Sequence, residues 1–272
     1  MRFPWQINKQ LRISWAAAGL AGKVRQNNED NLFVNGLFMR PEQMDAGVFE
    51  EGICEEDAQL YAVCDGMGGT EGGEEASRCA VEEISRRRDE ILAAAGPDRV
   101  ATLIGEISER VWDTAQERSL HFGTTLAMVR IRGGDVLAAN VGDSRIYLMR
   151  RGRLRQISTD HSKVQRLVSM GLMTAEQART DPARHIITQY LGMHEEGNVS
   201  PALRFGPGIR REDLILLCSD GLTDMVRDEE IEEILRRRCP PGEMVRELMD
   251  KAMAYGGRDN VTVIVLKACD DY

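Results

Sequence analysis

The sequence is poor in the side chains from which most metal and nucleophile chemistries are built. It has four histidines (His121, His161, His185, His194), none in an HxH pair or spaced as a pair on one helix face. That argues against a zinc hydrolase. Six cysteines, at positions 54, 64, 79, 218, 239 and 269, form no CxxC pair, and two of them fall inside strand candidates. They read as buried reduced thiols of a cytosolic protein. No cysteine has an arginine six residues later, no DxDx[TV] occurs and no GxxxxGK[ST] occurs. A thiolate phosphate loop, an aspartyl-phosphate intermediate and a P-loop nucleotide site are each missing their signature. The glycines after position 65 suggest a dinucleotide fingerprint, but Gly66 and Gly68 would need a third glycine where Glu71 stands. A basic surplus is also missing. The formal net charge of −9 argues against a nucleic-acid or anionic-membrane binder. No run approaches the ~18 apolar residues of a membrane span. Arg2, Lys9 and Arg12 precede the short SWAAAGLAG patch, which reads as a first strand and turn and not as a signal peptide. There is no internal repeat, low-complexity tract or Ser/Gly linker, so residues 1–272 are expected to form a single domain.

What the chain does have is aspartate at the ends of apolar runs. Leu60–Cys64 runs into Asp65-Gly66, and Leu214–Cys218 is followed by Asp220-Gly221. Asp259 precedes the run Val261–Leu266, and Asp143 sits in VGDSR between two further strand candidates. A carboxylate where a buried strand ends is held rigidly at the rim of a core, and a neighbouring glycine lets an ion or ligand approach the backbone. Four such carboxylates, far apart in sequence, can converge on one metal site.

Periodicity supplies the frame. Strands are expected at 12–20, 31–34, 60–64, 124–131, 135–141, 145–149, 153–157, 202–205, 214–218 and 261–267. Gly133-Gly134 and Arg151-Gly152 are hairpin turn signals. Helices are expected at 74–95, from a cap near Asp98 through Val111, and at 228–238 and 241–255. Short helical pieces are expected in 162–195, and residues 35–59 read as an irregular, acidic surface excursion. The stripe Val100, Leu103, Ile104, Ile107, Val111 reads as core packing. Helices are grouped and do not alternate one for one with strands. That favours an α+β fold of two packed antiparallel sheets flanked by helices over a parallel Rossmann sheet.

The chemistry follows from ligand type. Carboxylates and backbone carbonyls are hard oxygen donors that suit Mg²⁺ or Mn²⁺. Two such ions about 3.5–4 Å apart can hold a bridging water, lower its pKa and neutralise a phosphate under in-line attack. An acid able to bridge both ions must be central, and Asp65 is the choice. Phosphate also needs a planar bidentate donor, and Arg25 stands four residues before the acidic pair Glu29-Asp30 in GKVRQNNED. Each residue also has a plainer reading. Arg25 can be a surface charge, Asp143 an Asx-turn former, Asp259 a turn cap, Asp65 and Asp220 turn residues, and His161 a packed, hydrogen-bonded side chain.

Taken together, GKVRQNNED (22–30), VCDGMGG (63–69), FGTTL (122–126), NVGDSRIY (140–147), TDHS (159–162), CSDGL (218–222) and GGRDNVTV (256–263) carry a resemblance. In this order, over about residues 12–267, the chain resembles the metal-dependent protein phosphatases, the type 2C serine/threonine phosphatases, in their compact bacterial form. The resemblance implies a β-sandwich flanked by helices with the metals at one end. It implies that Asp65, Asp220 and Asp259 hold one ion, and that Asp65, the Gly66 carbonyl and Glu29/Asp30 hold the second, partly through water. Arg25 would bind the substrate phosphate, and Asp143 with Asp220 would hold a third, weaker ion. Residues 162–205 would form a mobile flap beside the site. The implied function is hydrolysis of phosphoserine and phosphothreonine by direct attack of a metal-activated water at a binuclear Mg/Mn centre. Implied partners are Ser/Thr-phosphorylated proteins, including a cognate Ser/Thr kinase, with no nucleic acid and no membrane. A cytoplasmic monomer is expected.

Two departures stand out. Many eukaryotic members have a histidine after the central Asp-Gly, proposed as the general acid, whereas this chain has Met67. Residues 35–59 are longer than the matching stretch of the most compact members. Two rival classes remain. A binding module that kept the fold without turnover should have lost metal acids, and none is lost. A phosphatase devoted to one switch, such as an anti-sigma-factor antagonist, tends to lack the phosphate arginine and the flap, and both are present.

Overall fold

The computed structural model describes residues 12–68, 72–194, 199–206 and 208–269. Residues 1–11, Gly69, Glu71 and the part of the expected flap at 195–198 lie outside that set. Two antiparallel sheets lie face to face, and helices cover both outer faces. The first sheet has the order β10 (Arg153–Gln156), β9 (Arg145–Arg150), β12 (Leu214–Cys218), β13 (Val261–Cys269), β1 (Arg12–Leu20), β4 (Val48–Cys54). The second has the order β11 (Ala202–Gly206), β8 (Asp135–Val141), β7 (Leu126–Arg132), β5 (Ala58–Met67), β2 (Asp30–Val34), β3 (Leu37–Phe38), with β6 (Gly123–Thr124) paired to the end of β5. Both expected hairpins form. Gly133, Gly134, Arg151 and Gly152 all take positive φ, as a two-residue type I′ turn requires.

The central strands are buried on both faces, which is why they read as nearly continuous apolar runs. Along β5, Tyr61 and Val63 point between the sheets, where they meet Ile13, Leu32, Val129, Ile146, Leu217 and Ile264. Leu60, Ala62 and Cys64 point the other way. They pack under α2 (Gly73–Arg86) and α4 (Pro97–Glu117), whose stripe Val100, Leu103, Ile104, Ile107, Val111 is fully buried. The other outer face of the sandwich, with Tyr147, Leu216, Val263 and Val265, packs under α8 (Asp228–Arg236) and α9 (Pro241–Ala254). Each such aliphatic side chain contributes about 1.5–3 kcal/mol by burial. Among the described residues no helix is long and apolar enough to cross a membrane.

Residues 35–59 are not an irregular excursion. They form β3, the short α1 (Pro41–Ala46) and β4, which pairs with β1 as the edge of the first sheet. Met39 and Met44 are fully buried, and Asn31 fixes the segment by hydrogen-bonding both the N–H and the C=O of Met39 at 3.1 Å. The helix expected over 74–95 is two, α2 and α3 (Arg88–Ala93), separated at Arg87. The cap of α4 is Gly96, not Asp98, because Pro97 takes the first helical position, where its missing N–H costs nothing. A short α7 (Asp220–Thr223) follows β12, and α5 (Lys163–Ser169) and α6 (Ala175–Thr180) are the helical pieces of the flap region.

Candidate metal centre

Strand register brings the acids together. Cys218 on β12 pairs with Arg145 on β9 and with Val263 on β13, so these three residues form one row across the first sheet. Asp143, Asp220 and Asp259 all lie just beyond that row at the same end. On the second sheet Asp30 pairs directly with Asp65 across β2 and β5. The chain crosses from β8 in one sheet to β9 in the other through Gly142-Asp143-Ser144, so Asp143 sits where the two sheets meet.

Each acid is fixed by its backbone. Asp65 donates its N–H to Thr125 Oγ1 at 2.9 Å, and its C=O accepts from Thr125 N–H (2.8 Å) and the Thr124 hydroxyl (2.9 Å). Thr125 in turn hydrogen-bonds Ser144 at 2.6 Å, next to Asp143. The Asp65 side chain itself has no hydrogen-bond or ion-pair partner among the described residues. Asp30 is fully buried. Its Oδ2 accepts from the Ser219 hydroxyl at 2.7 Å, while its Oδ1 is buried with no partner. Gly66 N–H donates to Glu29 C=O at 3.1 Å, and any Cβ on Gly66 would fall 1.9 Å from the Gly73 carbonyl oxygen, so only glycine fits. Gly73, at the start of α2, lies against both the Glu29 carboxylate and the Gly66 carbonyl.

Asn260 holds the remaining pieces. Its side chain donates to the carbonyls of Ala21 and Asn27, both at 2.9 Å, and accepts from Glu29 N–H at 2.8 Å. The loop bearing Arg25, Glu29 and Asp30 is thereby tied to the residue after Asp259. Arg25, half exposed, donates to Asp259 Oδ2 at 2.8 Å.

The electrostatics are those of like charges held together. Burial, then Asp30, Asp220, Asp143 and Asp259, push the Asp65 carboxyl well above the usual range. Burial, then Asp220 and Asp160, do the same to Asp143. Asp30 is pushed up to about 7, chiefly by burial and against the stabilising Ser219 hydroxyl. Glu29 is raised by burial and by Asp259, with Arg25 opposing. Such a cluster is stable in its ionised form only with cations among it. The donors are carboxylates and a carbonyl, and Asp30 Oδ1 is buried without a hydrogen bond of normal geometry among the described residues, so the residues fit two hard divalent ions.

The structure thus brings together every acid expected from sequence, with Arg25 at the rim. It also places residues there that sequence reasoning missed. Asn260, Ser219, Thr124 and Thr125 act through polar contacts to partners far away in the chain. His185 reaches Asp220 from the flap region. Met67 lies beside Gly66 with its backbone paired to Gly123.

Comparison with known proteins agrees with this geometry. Residues 51–255 match the protein phosphatase 2C family. The serine/threonine phosphatase stp of Listeria monocytogenes is 35% identical over 252 residues, covering 90% of this chain and 92% of that protein. The serine/threonine protein phosphatase PstP of Mycobacterium tuberculosis is 35% identical over 96% of this chain and 46% of its own length. The crystal structure of that Mycobacterium tuberculosis phosphatase superposes with a TM-score of 0.80 at 32% identity, covering 95% of this chain and all of the other. A structure of the PstP catalytic domain with two manganese ions superposes with a TM-score of 0.75 at 31% identity, over 96% of this chain and all of that one.

Proposed function

Because the chain belongs to the protein phosphatase 2C family, we propose that it hydrolyses phosphoserine and phosphothreonine in proteins, as a metal-dependent phosphatase using Mn²⁺ or Mg²⁺. The observation that carries this reading is the convergence of Asp30, Asp143, Asp220 and Asp259 on the Asp65 carboxyl, which has no hydrogen-bond or ion-pair partner among the described residues. In this reading Asp65, Asp220 and Asp259 hold one ion. Asp65, the Gly66 carbonyl and the pair Glu29/Asp30 hold the second, and Asp143 with Asp220 faces a third, weaker one. When bound, the ions supply an acidified water and neutralise the charge of the phosphate.

The protein's own residues do the rest. Asp65 sits between both groups of ligands, where a carboxylate can serve two ions. Asn260 and Gly66 keep Glu29 and Asp30 in reach of it. Arg25 sits at the exposed rim, and its guanidinium offers a planar fork to two phosphate oxygens while its other face stays on Asp259. Water attacks phosphorus in line with the seryl or threonyl oxygen, which leaves and takes a proton. The Met67 thioether has no proton to give, so it is not the acid in that step. One catalytic domain with a flap at about 162–205 accounts for the family match over 51–255. The substrates include a cognate serine/threonine kinase, itself a phosphoprotein, and the enzyme works as a monomer in the cytoplasm, consistent with six free cysteines.

The test is hydrolysis of p-nitrophenyl phosphate and a phosphothreonine peptide in Mn²⁺, Mg²⁺ or EDTA. Turnover is expected only with divalent metal. Full activity in EDTA after dialysis, or a covalent phosphoenzyme, would overturn the reading.

A further inference from the structure

A chain with a formal net charge of −9 gathers cations at one place away from the acid cluster. Leu214 of β12 pairs with Lys267 of β13 and with Met149 of β9, so these three form a row at the end of the first sheet opposite the Cys218 row. On the outer face of that end, a cavity of about 350 Å³ opens between the β9–β10 turn, the C-terminal end of α8 and the start of α9. Arg151, Arg236, Arg237, Arg238 and Lys267 line it, with Glu212 as the one acid among the described residues around it. Its floor is formed by the buried side chains of Met149, Leu214, Leu235 and Met244. Three of the cations are engaged. Arg236 pairs with Glu232 and donates to the Gly152 carbonyl at 3.2 Å, Arg237 donates to Glu247 at 2.7 Å, and Lys267 lies 3.6 Å from Glu212. The guanidinium groups of Arg151 and Arg238, both exposed, have no hydrogen-bond or ion-pair partner among the described residues. Arg151 also has a φ of 53°, in the left-handed region, where a type I′ turn favours Asn or Gly. The turn thus carries a cation at a position whose geometry favours another residue, the kind of outlier that points to a role.

We propose that this cavity docks a short acidic segment of the phosphoprotein substrate, away from the phosphorylated residue. The proposal rests on the reading of the chain as a protein phosphatase and names a feature of its substrates. The cations come from three separate elements, the β9–β10 turn, the chain after α8 and β13, so they suit a string of carboxylates better than a single anion. The apolar floor keeps water from the base of the cavity and strengthens the attraction above it. Acids stand at its border, with Glu233 and Glu247 both paired to Arg237, and they limit the ligand to a short stretch. A nucleic-acid backbone would run on past the cavity over a protein of net negative charge, and a membrane surface does not enter a concavity. Along β12 the Leu214 row and the Cys218 row are roughly 13 Å apart, and the metal acids lie just beyond the latter. A substrate that reaches both places therefore carries its acidic segment well apart in sequence from its phosphoserine or phosphothreonine. Docking raises the local concentration of the phosphorylated residue at the centre, so it lowers KM and leaves kcat alone.

The test compares a phosphothreonine peptide with the same peptide carrying about six glutamates at the far end of a Gly/Ser linker of about 20 residues. With Mn²⁺ bound and at low salt, the tailed peptide should show a KM roughly 10-fold lower with kcat unchanged, and high salt should erase the difference. Arg151→Asn combined with Arg238→Ala should lose the preference while p-nitrophenyl phosphate is hydrolysed at the parent rate. Because Asn suits the left-handed turn, the melting temperature should hold or rise as docking is lost. Arg151→Lys alone should keep the preference. Fluorescence anisotropy of a labelled glutamate peptide on the metal-free protein in EDTA reads docking without turnover. Equal KM for the two peptides, or a preference that survives the double variant, overturns this proposal alone. So does stronger competition by oligothymidine or by phosphatidylserine vesicles than by free glutamate peptide, which assigns the patch to a nucleic acid or to a membrane. Docking of the glutamate peptide with no metal-dependent turnover overturns the reading of the centre and not that of the cavity.

Discussion

The acid cluster, whose members Asp143 and Asp220 share a cavity with the flap helices, and the flap itself are built on opposite terms. Asp30 and Asp65 are partners in a β ladder, and the strands bearing them are buried on both faces. Burial of the neighbouring side chains overcomes the mutual repulsion of five carboxyl groups. The helical part of the flap, residues 163–180, has little burial of its own. α6 buries no residue, and α5 buries only Val164. Two isolated backbone bridges, Thr124 to Leu191 and Ser162 to Ile187, fasten the segment, helped by a capping box at Thr174. The contrast shows where rigidity is needed. Charges that repel must be held by a core, while a surface segment that carries no such cluster can be left at low local stability.

Removing the central acid breaks the contrast most severely. Asp65→Asn keeps the shape but lacks the charge to serve two cations. Since even a supporting partner of a metal ligand is worth roughly 10–100-fold, turnover should fall by more than ~100-fold. The melting temperature in EDTA near neutral pH should rise, because a neutral amide has no cost of holding a proton or burying a charge among the other acids. Steady-state kinetics beside a thermal melt decide it, and activity within a few-fold of the parent protein removes Asp65 from the centre.

Proton uptake sharpens the contrast without mutation. Asp30, raised to about 7 chiefly by burial, and Asp65 and Asp143, also raised, retain protons in the folded, metal-free protein that the unfolded chain releases near its ordinary carboxylate pKa of about 3.9. Between those values the folded state binds more protons than the unfolded one. The stabilisation is therefore complete below about pH 4 and is lost as pH rises through about 7. In EDTA the melting temperature should fall from about pH 5 to about pH 8. With Mn²⁺ the slope should reverse, because metal requires the ionised carboxylates. A melting temperature in EDTA that climbs over this range would show the acids already ionised.

The flap gives the smallest effect. Thr174 accepts from Gln177 N–H at 3.2 Å to cap α6. Thr174→Ala should cost that helix about 1 kcal/mol. Because α6 buries nothing, the loss should appear as faster amide hydrogen exchange over 175–180 with the global melt unmoved. A shift of several degrees in the global melt would mean the flap is part of the cooperative core after all.

Sequence pattern reveals the parts of this molecule where one strong physical signal acts locally. Leu214–Cys218 and Val261–Leu266 could only be buried strands, and Asp220-Gly221 and Asp259 at their ends marked the site. Residues 35–59 were harder because β4 is an edge strand, with Glu50 and Glu51 exposed and its alternation weak. One legible signal there was Asn35-Gly36, whose positive φ at both residues makes the two-residue hairpin between β2 and β3. Asn260, Ser219 and Thr125 stood inside the quoted motifs, but their roles were not legible. Their importance lies in partners between 19 and 239 positions away, and an ordinary polar residue carries no trace of that. His185 is similar, since only the path of the flap brings it to Asp220.

The position of β13 constrains how the protein can come into being. This strand, the last of the described chain, lies in the middle of its sheet, hydrogen-bonded to β1 on one side and to β12 on the other. During synthesis β1 emerges first but has no inner neighbour until residues 261–269 follow. The sheet is therefore completed by insertion, not by growth at an edge, and its defining contacts span nearly the whole chain. Folding of this kind is slow and leaves two hydrophobic strand edges open while it waits. Asp259 and Asn260 arrive with the same segment, so a nascent chain cannot assemble the centre ahead of the fold, and a ribosome-bound chain stalled before this segment has the other acids but nowhere to gather them.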